Sequence, residues 1–455
     1  MDKNQAVHTE NKMGVMPVGR LIVTMSLPIM ISMLVQALYN VVDSIFVARI
    51  DEYALTALSM AFPIQNLMIA VSVGLGVGVN AVLSRALGAK DTESVGHAAS
   101  GGMFLMIVSS LAFMLAGLLI VRPFFEAQTD IAPIVEYGVT YTRIIMVGCF
   151  GIFMQILFER LLQSTGRTLH TMISQSVGAV INIVLDPILI FGLFGLPKMG
   201  VAGAALATII GQWAGAALGF FMNVRMNPEV PMDMRGMKLH GPTVRRILAI
   251  GIPSVIMQSI GSVMTFCMNQ ILIAFSSTAV AVFGVYFKLQ SFIFMPVFGM
   301  NNGTVPIIAY NYGARRADRM MKTIKISVVG VFVIMALGTA MFQIIPRELL
   351  MFFDASEELL RLGVPALRII SYHFPIAAIC IGMGSVFQAL GFSMYSMINS
   401  FVRQLVVLLP CAFLLGKVTG SVDGVWWAFL VAEFFSFALT MIFFARINKN
   451  VIKKL

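Results

Sequence analysis

The sequence predicts an all-α polytopic membrane protein, with twelve transmembrane helices forming two six-helix bundles related by a pseudo-twofold axis. Three observations carry that expectation. Of its 455 residues, 58% are hydrophobic and only 11% charged, far from the balance of a soluble multidomain chain. Apolar runs of about eighteen residues or more, each able to cross roughly 30 Å of hydrocarbon as a helix, recur along the whole length. The chain also repeats itself at one constant offset: Pro28 falls on Pro253, Phe62 on Phe287, Gln65 on Gln290, Gly74 on Gly299 and Gly88-Ala89 on Gly313-Ala314.

A polar segment, 1–19, carries Lys3 and Lys12 and leads to Arg20. No small-residue cleavage site follows a short apolar core, so no removable signal peptide is expected. The N-lobe, 20–222, holds six runs: 20–48, 54–83, 96–120, 133–162, 170–194 and 200–222. The first contains Pro28 and a polar stripe described below. The second contains Gly74-Leu-Gly76-Val-Gly78, which resembles a dinucleotide loop in letters only. It has no preceding strand, and small residues inside a membrane helix serve close helix packing. The fourth carries Arg143 and, near its end, Glu159-Arg160, read as a local ion pair or as snorkelling side chains. The fifth carries Asn182-x-x-x-Asp186-Pro187, and the sixth opens on Gly200-Val-Ala-Gly203-Ala-Ala-x-Ala-Thr208. A polar linker, 223–245, contains Pro228, Pro231 and Pro242. The C-lobe, 246–446, repeats the pattern at 246–274, 279–309, 323–345, 361–388, 395–416 and 422–446, and a basic tail, 447–455, follows.

The repeat holds its register without a gap through Arg143-Ile-Ile on Arg368-Ile-Ile to Gly166 on Gly391, then shifts slightly, so that Gly203 meets Gly424. Matches at Gly, Pro, Gln and Arg do not arise from shared hydrophobicity. An even number of spans per half makes the repeats parallel, with a cleft between them suited to alternating access.

Counted from a cytoplasmic N-terminus, one set of connectors holds twenty Lys/Arg and the other six, which places both termini in the cytoplasm of a multi-pass plasma-membrane protein. The same asymmetry accounts for the net charge of +10 without nucleic acid, the basic loops facing anionic membrane lipids. Cys149, Cys267, Cys380 and Cys411 sit unpaired in apolar runs, as small core residues.

Gln36, Asn40 and Asp43 recur at spacings of four and three and so share one helix face, with Tyr39 beside them. A carboxylate in hydrocarbon costs about 2.5–3.5 kcal/mol on insertion scales unless partnered or solvated. Asp43 is therefore read as an ion-handling residue, against the plainer reading of a helix–helix hydrogen bond. Asn182 and Asp186 share a face of the fifth helix, and Pro187 leaves the carbonyl of Ile183 without its donor. Both acids lie in the outer half of the membrane. If they meet, they cannot both ionise in a low dielectric unless a cation lies between them. In the C-lobe, Met268 and Cys411 stand where the repeat would put these acids, so coupling is expected in the N-lobe alone. Thirty-four Met and thirty-five Phe, with Tyr141 and Tyr286, suit an adaptable apolar cavity.

The Pro-containing first helix leading to Asn40-x-x-Asp43, the Asn182-x-x-x-Asp186 element, the Gly200–Thr208 run and the tandem sixes together resemble the MATE (multidrug and toxic compound extrusion) family, and within it the bacterial DinF-like and MepA-like branches. The acids on helices seven and ten of another branch have no counterpart here. The resemblance implies an antiporter that expels small amphiphilic, often cationic compounds in exchange for inward H⁺ or Na⁺. It implies a cation site of Asp43, Asn182, Asp186 and Thr208, with any bound Na⁺ held at Asp43 and Asp186, and a substrate cavity faced by Gln36, Tyr39 and Asn40; Tyr141 and Met268 are expected to line the same cavity. No cofactor beyond the coupling ion and no catalytic residue is expected, since no HExxH or GxSxG pattern accompanies the scattered histidines. The chain is expected to work as a monomer. The alternative is a flippase for lipid-linked oligosaccharides or related polyprenyl-pyrophosphate lipids, served by Arg143, Lys288, Arg368 and Arg403.

Overall fold

The computed structural model describes residues 10–230, 239–353 and 355–455, apart from the side chains of Ser44, Ala48 and Glu52. Lys3, Pro231 and the rest of the linker stretch 231–238 lie outside the described residues. Everything regular among the described residues is helical. In chain order the elements are α1 (Lys12–Val15), α2 (Val18–Ala48), α3 (Glu52–Gly88), α4 (Thr92–Leu119), α5 (Val121–Glu126), α6 (Ala132–Val147), α7 (Phe150–Ser164), α8 (Thr168–Phe191) and α9 (Val201–Met226). The second half supplies α10 (Gly241–Ile273), α11 (Ser277–Gly313), α12 (Ala317–Ile344), α13 (Pro346–Met351), α14 (Glu357–Ser371), α15 (Phe374–Ala389), α16 (Ser393–Phe401), α17 (Leu409–Thr419) and α18 (Val422–Asn450).

Among the described residues ten spans, α16 and α17 forming one, are long and apolar enough to cross a membrane, and the bent pairs α6–α7 and α14–α15 bring the number to twelve. The sequence predicts unbroken helices at 133–162 and 361–388. The structure bends them instead, by 45° and 51°, at places that correspond in the repeat. The breaks follow Gly148 in one lobe and precede Phe374-Pro375 in the other; proline has no N–H to continue the helical ladder. The short helices α5 and α13 are likewise repeat mates, Val121 falling on Pro346 and Glu126 on Met351. Lys90 and Arg315, again repeat partners, both close their helices in the left-handed region (φ 58° and 55°).

Each lobe has its own apolar core, one gathered around Phe125, Phe153 and Leu157, the other around Phe283, Tyr286, Phe342 and Trp426. The start of α2 (Leu21, Ile22, Met25) belongs to the second core, and Ile247 at the start of α10 to the first. The lobes therefore clasp each other through the opening turns of their first helices.

The repeat glycines explain how. Gly74 of α3 packs on the backbone of Val255 in α10, and its repeat mate Gly299 of α11 packs on Met30 of α2, itself the repeat mate of Val255. A Cβ on either would lie 2.6–2.7 Å from a partner backbone atom, too near for any side chain. Gly78 meets Ile247, Gly303 meets Ser26, and Gly88 and Gly313 abut the carbonyls of Tyr310 and Arg85 across the pseudo-twofold axis. The close packing expected of Gly74 and Gly78 is thus packing between lobes. It lies in the half of the bundle that carries both chain ends, because Met13 is bonded to Asn311 and Leu455 shares a hollow with Arg85 and Arg315. Farther from the ends, Asn66 of α3 donates to Ser262 of α10 at 2.8 Å.

Candidate functional site

Helix α2 runs on through Pro28 and brings Gln36, Tyr39, Asn40 and Asp43 against α8, which continues as one helix through Pro187. Asp43 and Asp186 meet there, their carboxyls in hydrogen-bond contact. Two carboxyls in contact present acceptors to each other, so one must carry a proton or a cation must lie between them.

Little in the surrounding protein supplies a donor. Asp186 is fully buried, and among the described residues no donor reaches either of its carboxyl oxygens, Oδ1 of Asp43 or Oδ1 of Asn182. Asn182 is oriented by Thr208: its Nδ2 donates to Thr208 Oγ1 at 3.2 Å, and that hydroxyl donates to the carbonyl of Ala204 at 3.1 Å. The amide oxygen of Asn182 is thereby left without a donor, and α8 and α9 can approach closely enough for this because Gly178 and Gly211 pack backbone to backbone. The arrangement offers a hard cation only oxygens, or offers a proton two carboxyls to choose between. All four residues of the expected cation site lie on α2, α8 and α9, where the structure brings them together.

The cavity residues divide. Tyr39 and Tyr141 stand close enough to feel both carboxyls, and the Tyr141 hydroxyl accepts from Gln65 Nε2 at 3.0 Å. Tyr141 is only 3% exposed, so it walls the acid site from within the N-lobe instead of lining the cleft. Gln36 accepts from Gln175 of α8 at 3.0 Å, and Asn40 is exposed on α2. Met268 is a correction: it is completely buried in the C-lobe core beside Met264 and Leu272 and lines no cleft. It is the repeat mate of Asp43, but the C-lobe partner helix carries no acid to draw that face into a polar site.

Several polar residues came into the site unannounced. Gln65 was visible in the sequence only as a repeat match, and Gln175 as an amide in an apolar run. Glu159 and Arg160 do not pair as expected; Glu159 accepts from Gln155 at 3.0 Å, while Arg160 donates to Gln163 at 2.9 Å and reaches Asn302 of the other lobe at 3.0 Å. Arg160 is 7% exposed, so one buried guanidinium ties α7 to α11. Arg143 and Arg368, repeat partners in sequence, differ in setting: Nε of Arg143 is sealed without a partner, whereas Arg368 is exposed. Arg403 is ion-paired with the buried Glu433, 3.3 Å away.

Known proteins share both sequence and fold with this chain. It is 28% identical over 416 residues to a multidrug export protein MepA of Staphylococcus haemolyticus, covering 90% of this chain and 89% of the relative. It is 26% identical over 423 residues to a MepA of Staphylococcus aureus, covering 92% and 91%. Its fold superposes with a TM-score of 0.92 on a multidrug resistance MATE family transporter of the MOP superfamily in an outward-facing conformation, at 24% identity over 98% of this chain and 99% of that one. The MatE family model matches twice, over residues 28–188 and 253–414, once in each lobe and starting at the repeat partners Pro28 and Pro253. Together the matches cover more than half the sequence, and the chain belongs to the MatE (MATE) family.

Proposed function

We propose that the protein exports small amphiphilic, often cationic compounds across the plasma membrane by alternating access, in exchange for H⁺ or Na⁺ bound at Asp43 and Asp186. The observation that carries this reading is the meeting of two carboxyls whose buried oxygens find no donor among the described residues. An ionised pair left so would cost several kcal/mol, so the site requires a proton or a cation. Because α2 also forms half of the contact between lobes, through Ser26 and Met30, ion binding at one end of this helix bears on closure at the other. The ion then favours one opening only by binding it more tightly than the other.

Likeness in sequence to proteins named as multidrug exporters supports the choice of substrate. The basic connectors favour both termini in the cytoplasm, and the seam of glycines would then close the cytoplasmic side. The two lobes are taken as the moving bodies, in a monomer. A lipid-linked-sugar flippase, which needs a cationic cavity, loses support from Arg403, whose charge is met by Glu433. Transport in proteoliposomes under independently imposed pH and sodium gradients tests the reading: one gradient should drive export of an organic cation. If neither does, ion exchange at this site is wrong.

A further inference from the structure

The segment Glu10–Met16, ahead of the first spanning helix, lies across the seam between the lobes and is bonded to both. On the first lobe's side, Asn11 Nδ2 donates to the carbonyl of Thr165 at 3.1 Å and to the carboxylate of Glu229 at 2.8 and 3.1 Å. Its Oδ1 accepts from the Met13 N–H at 2.9 Å, so one side chain both caps α1 and moors it. On the second lobe's side, Arg316 donates to the Gly14 carbonyl at 2.7 Å and to Glu10 at 2.6 Å. Arg319 donates to the carbonyls of Met16 (2.7 Å) and Met13 (3.2 Å), and Asn311 donates to Met13 (3.2 Å).

A single helical turn cannot satisfy its own carbonyls, and here the second lobe's side chains do so. Met13 is completely buried in the C-lobe core. Gly14 is closely packed: a Cβ there would lie 3.0–3.3 Å from side-chain atoms of Glu10, Arg316 and Tyr310, which would each have to give way slightly. Around the mooring the charges are partly withdrawn from water: burial, and Arg167 beside it, hold the Lys12 ammonium below its ordinary pKa, and burial holds the Glu229 carboxyl above its own.

We propose that Glu10–Met16 is a strap that holds the lobes together on the face carrying the chain ends and sets how readily that face opens. The proposal rests on the alternating-access reading, because only a chain that opens there has something for a strap to restrain. The two moorings are unequal. Among the described residues, the second lobe holds the segment through three hydrogen-bonding side chains and a buried methionine, whereas the first is hydrogen-bonded through the Asn11 side chain. The strap therefore lets go at Asn11 and travels with the second lobe.

The test places a reporter at the seam. Ser26, 3% exposed and donating to the Met300 carbonyl across the lobes, becomes Ser26→Cys in the full chain with its four native cysteines replaced by alanine and export retained. A membrane-impermeant maleimide is applied to the face that carries the termini while export is driven. Asn11→Ala with Glu229→Gln should raise the labelling rate about tenfold, the size expected for losing a hydrogen bond to a charged group. Asn11→Cys with Glu229→Cys, joined by a short thiol cross-linker in a chain without the reporter, should stop export until the link is cut. Equal labelling of the released variant and its parent overturns the strap while leaving two-sided access standing, as does full export by the linked pair. Absence of labelling in every variant under every gradient overturns both.

Discussion

Where α8 crosses α9 in the first lobe, two glycines meet: Gly178 lies against the Gly211 carbonyl and Gly211 against the Gly178 carbonyl. At the equivalent crossing of the second lobe, the repeat register puts Arg403 in place of Gly178, and its slightly shifted continuation puts Glu433 in place of Gln212. These form an ion pair in which Glu433 is buried and Arg403 half-buried, with Cys380 beside the carboxylate. The guanidinium sits in a wider π-helical stretch, Val402–Leu408, just ahead of Pro410, whose ring and missing N–H prevent a regular α-helical turn. One duplicated frame thus handles buried carboxyls in opposite ways. The first lobe leaves two acids without a base, which suits a mobile cation; the second gives its acid a fixed one. On the proposed reading, the asymmetry puts exchange in one lobe and permanence in the other.

That contrast can be broken most decisively at the acids. Asp186→Asn, and separately Asp43→Asn, produced at wild-type levels, should lower ion-driven export by about a hundredfold or more, because an ion with equal affinity for both states shifts neither. Full export by both variants in proteoliposomes would end the assignment. In the second lobe, removing one partner, as in Arg403→Met or Glu433→Gln, should cost about 3–5 kcal/mol in thermal unfolding. Replacing both, as in Arg403→Met with Glu433→Leu, should be close to neutral and leave export ion-driven; if it uncouples transport as Asp186→Asn does, the two lobes are not opposed in role.

At the seam, where the lobes are alike, repeat partners should respond alike. Gly88→Val and Gly313→Val should each cost about 1–3 kcal/mol by forcing the α3–α11 backbones apart, read in unfolding and in export. Gly241→Ala, with open space around it, should change neither. The smallest effect expected above zero is at Thr208→Val, which deprives Asn182 of its acceptor: about 0.6 kcal/mol in unfolding, typical of hydrogen bonds within membranes. It should also weaken cation dependence slightly without abolishing it.

Much of this was legible before any fold was known, for a physical reason. Hydrocarbon forces long apolar helices, so all twelve spans were found, and it penalises charge, so Asp43 and Asp186 stood out within them. Their spacings on a helix face, four for Asn182 to Asp186 and three for Asn40 to Asp43, indicated which residues would point together. Glycine placement exposed the repeat, because close backbone approach tolerates nothing larger. The same local logic failed where partners are distant. Glu159-Arg160 read as neighbours, yet Arg160 reaches Asn302 in the other lobe. Met268 followed the register of Asp43 into an apolar core, since register fixes a position along a helix and not what faces it.

By itself, then, the sequence determined the membrane class, the two-times-six architecture and the pair of acids, because each follows from solvent, period or backbone sterics read along one helix. The tertiary structure alone decided that the two acids touch, that Tyr141 and Gln65 wall them, that glycines of opposite lobes form the seam, and that Arg403 answers Glu433. Those are contacts between helices far apart in the chain, and the energy that selects them lies in packing and in partners for buried charge, which no single helix records.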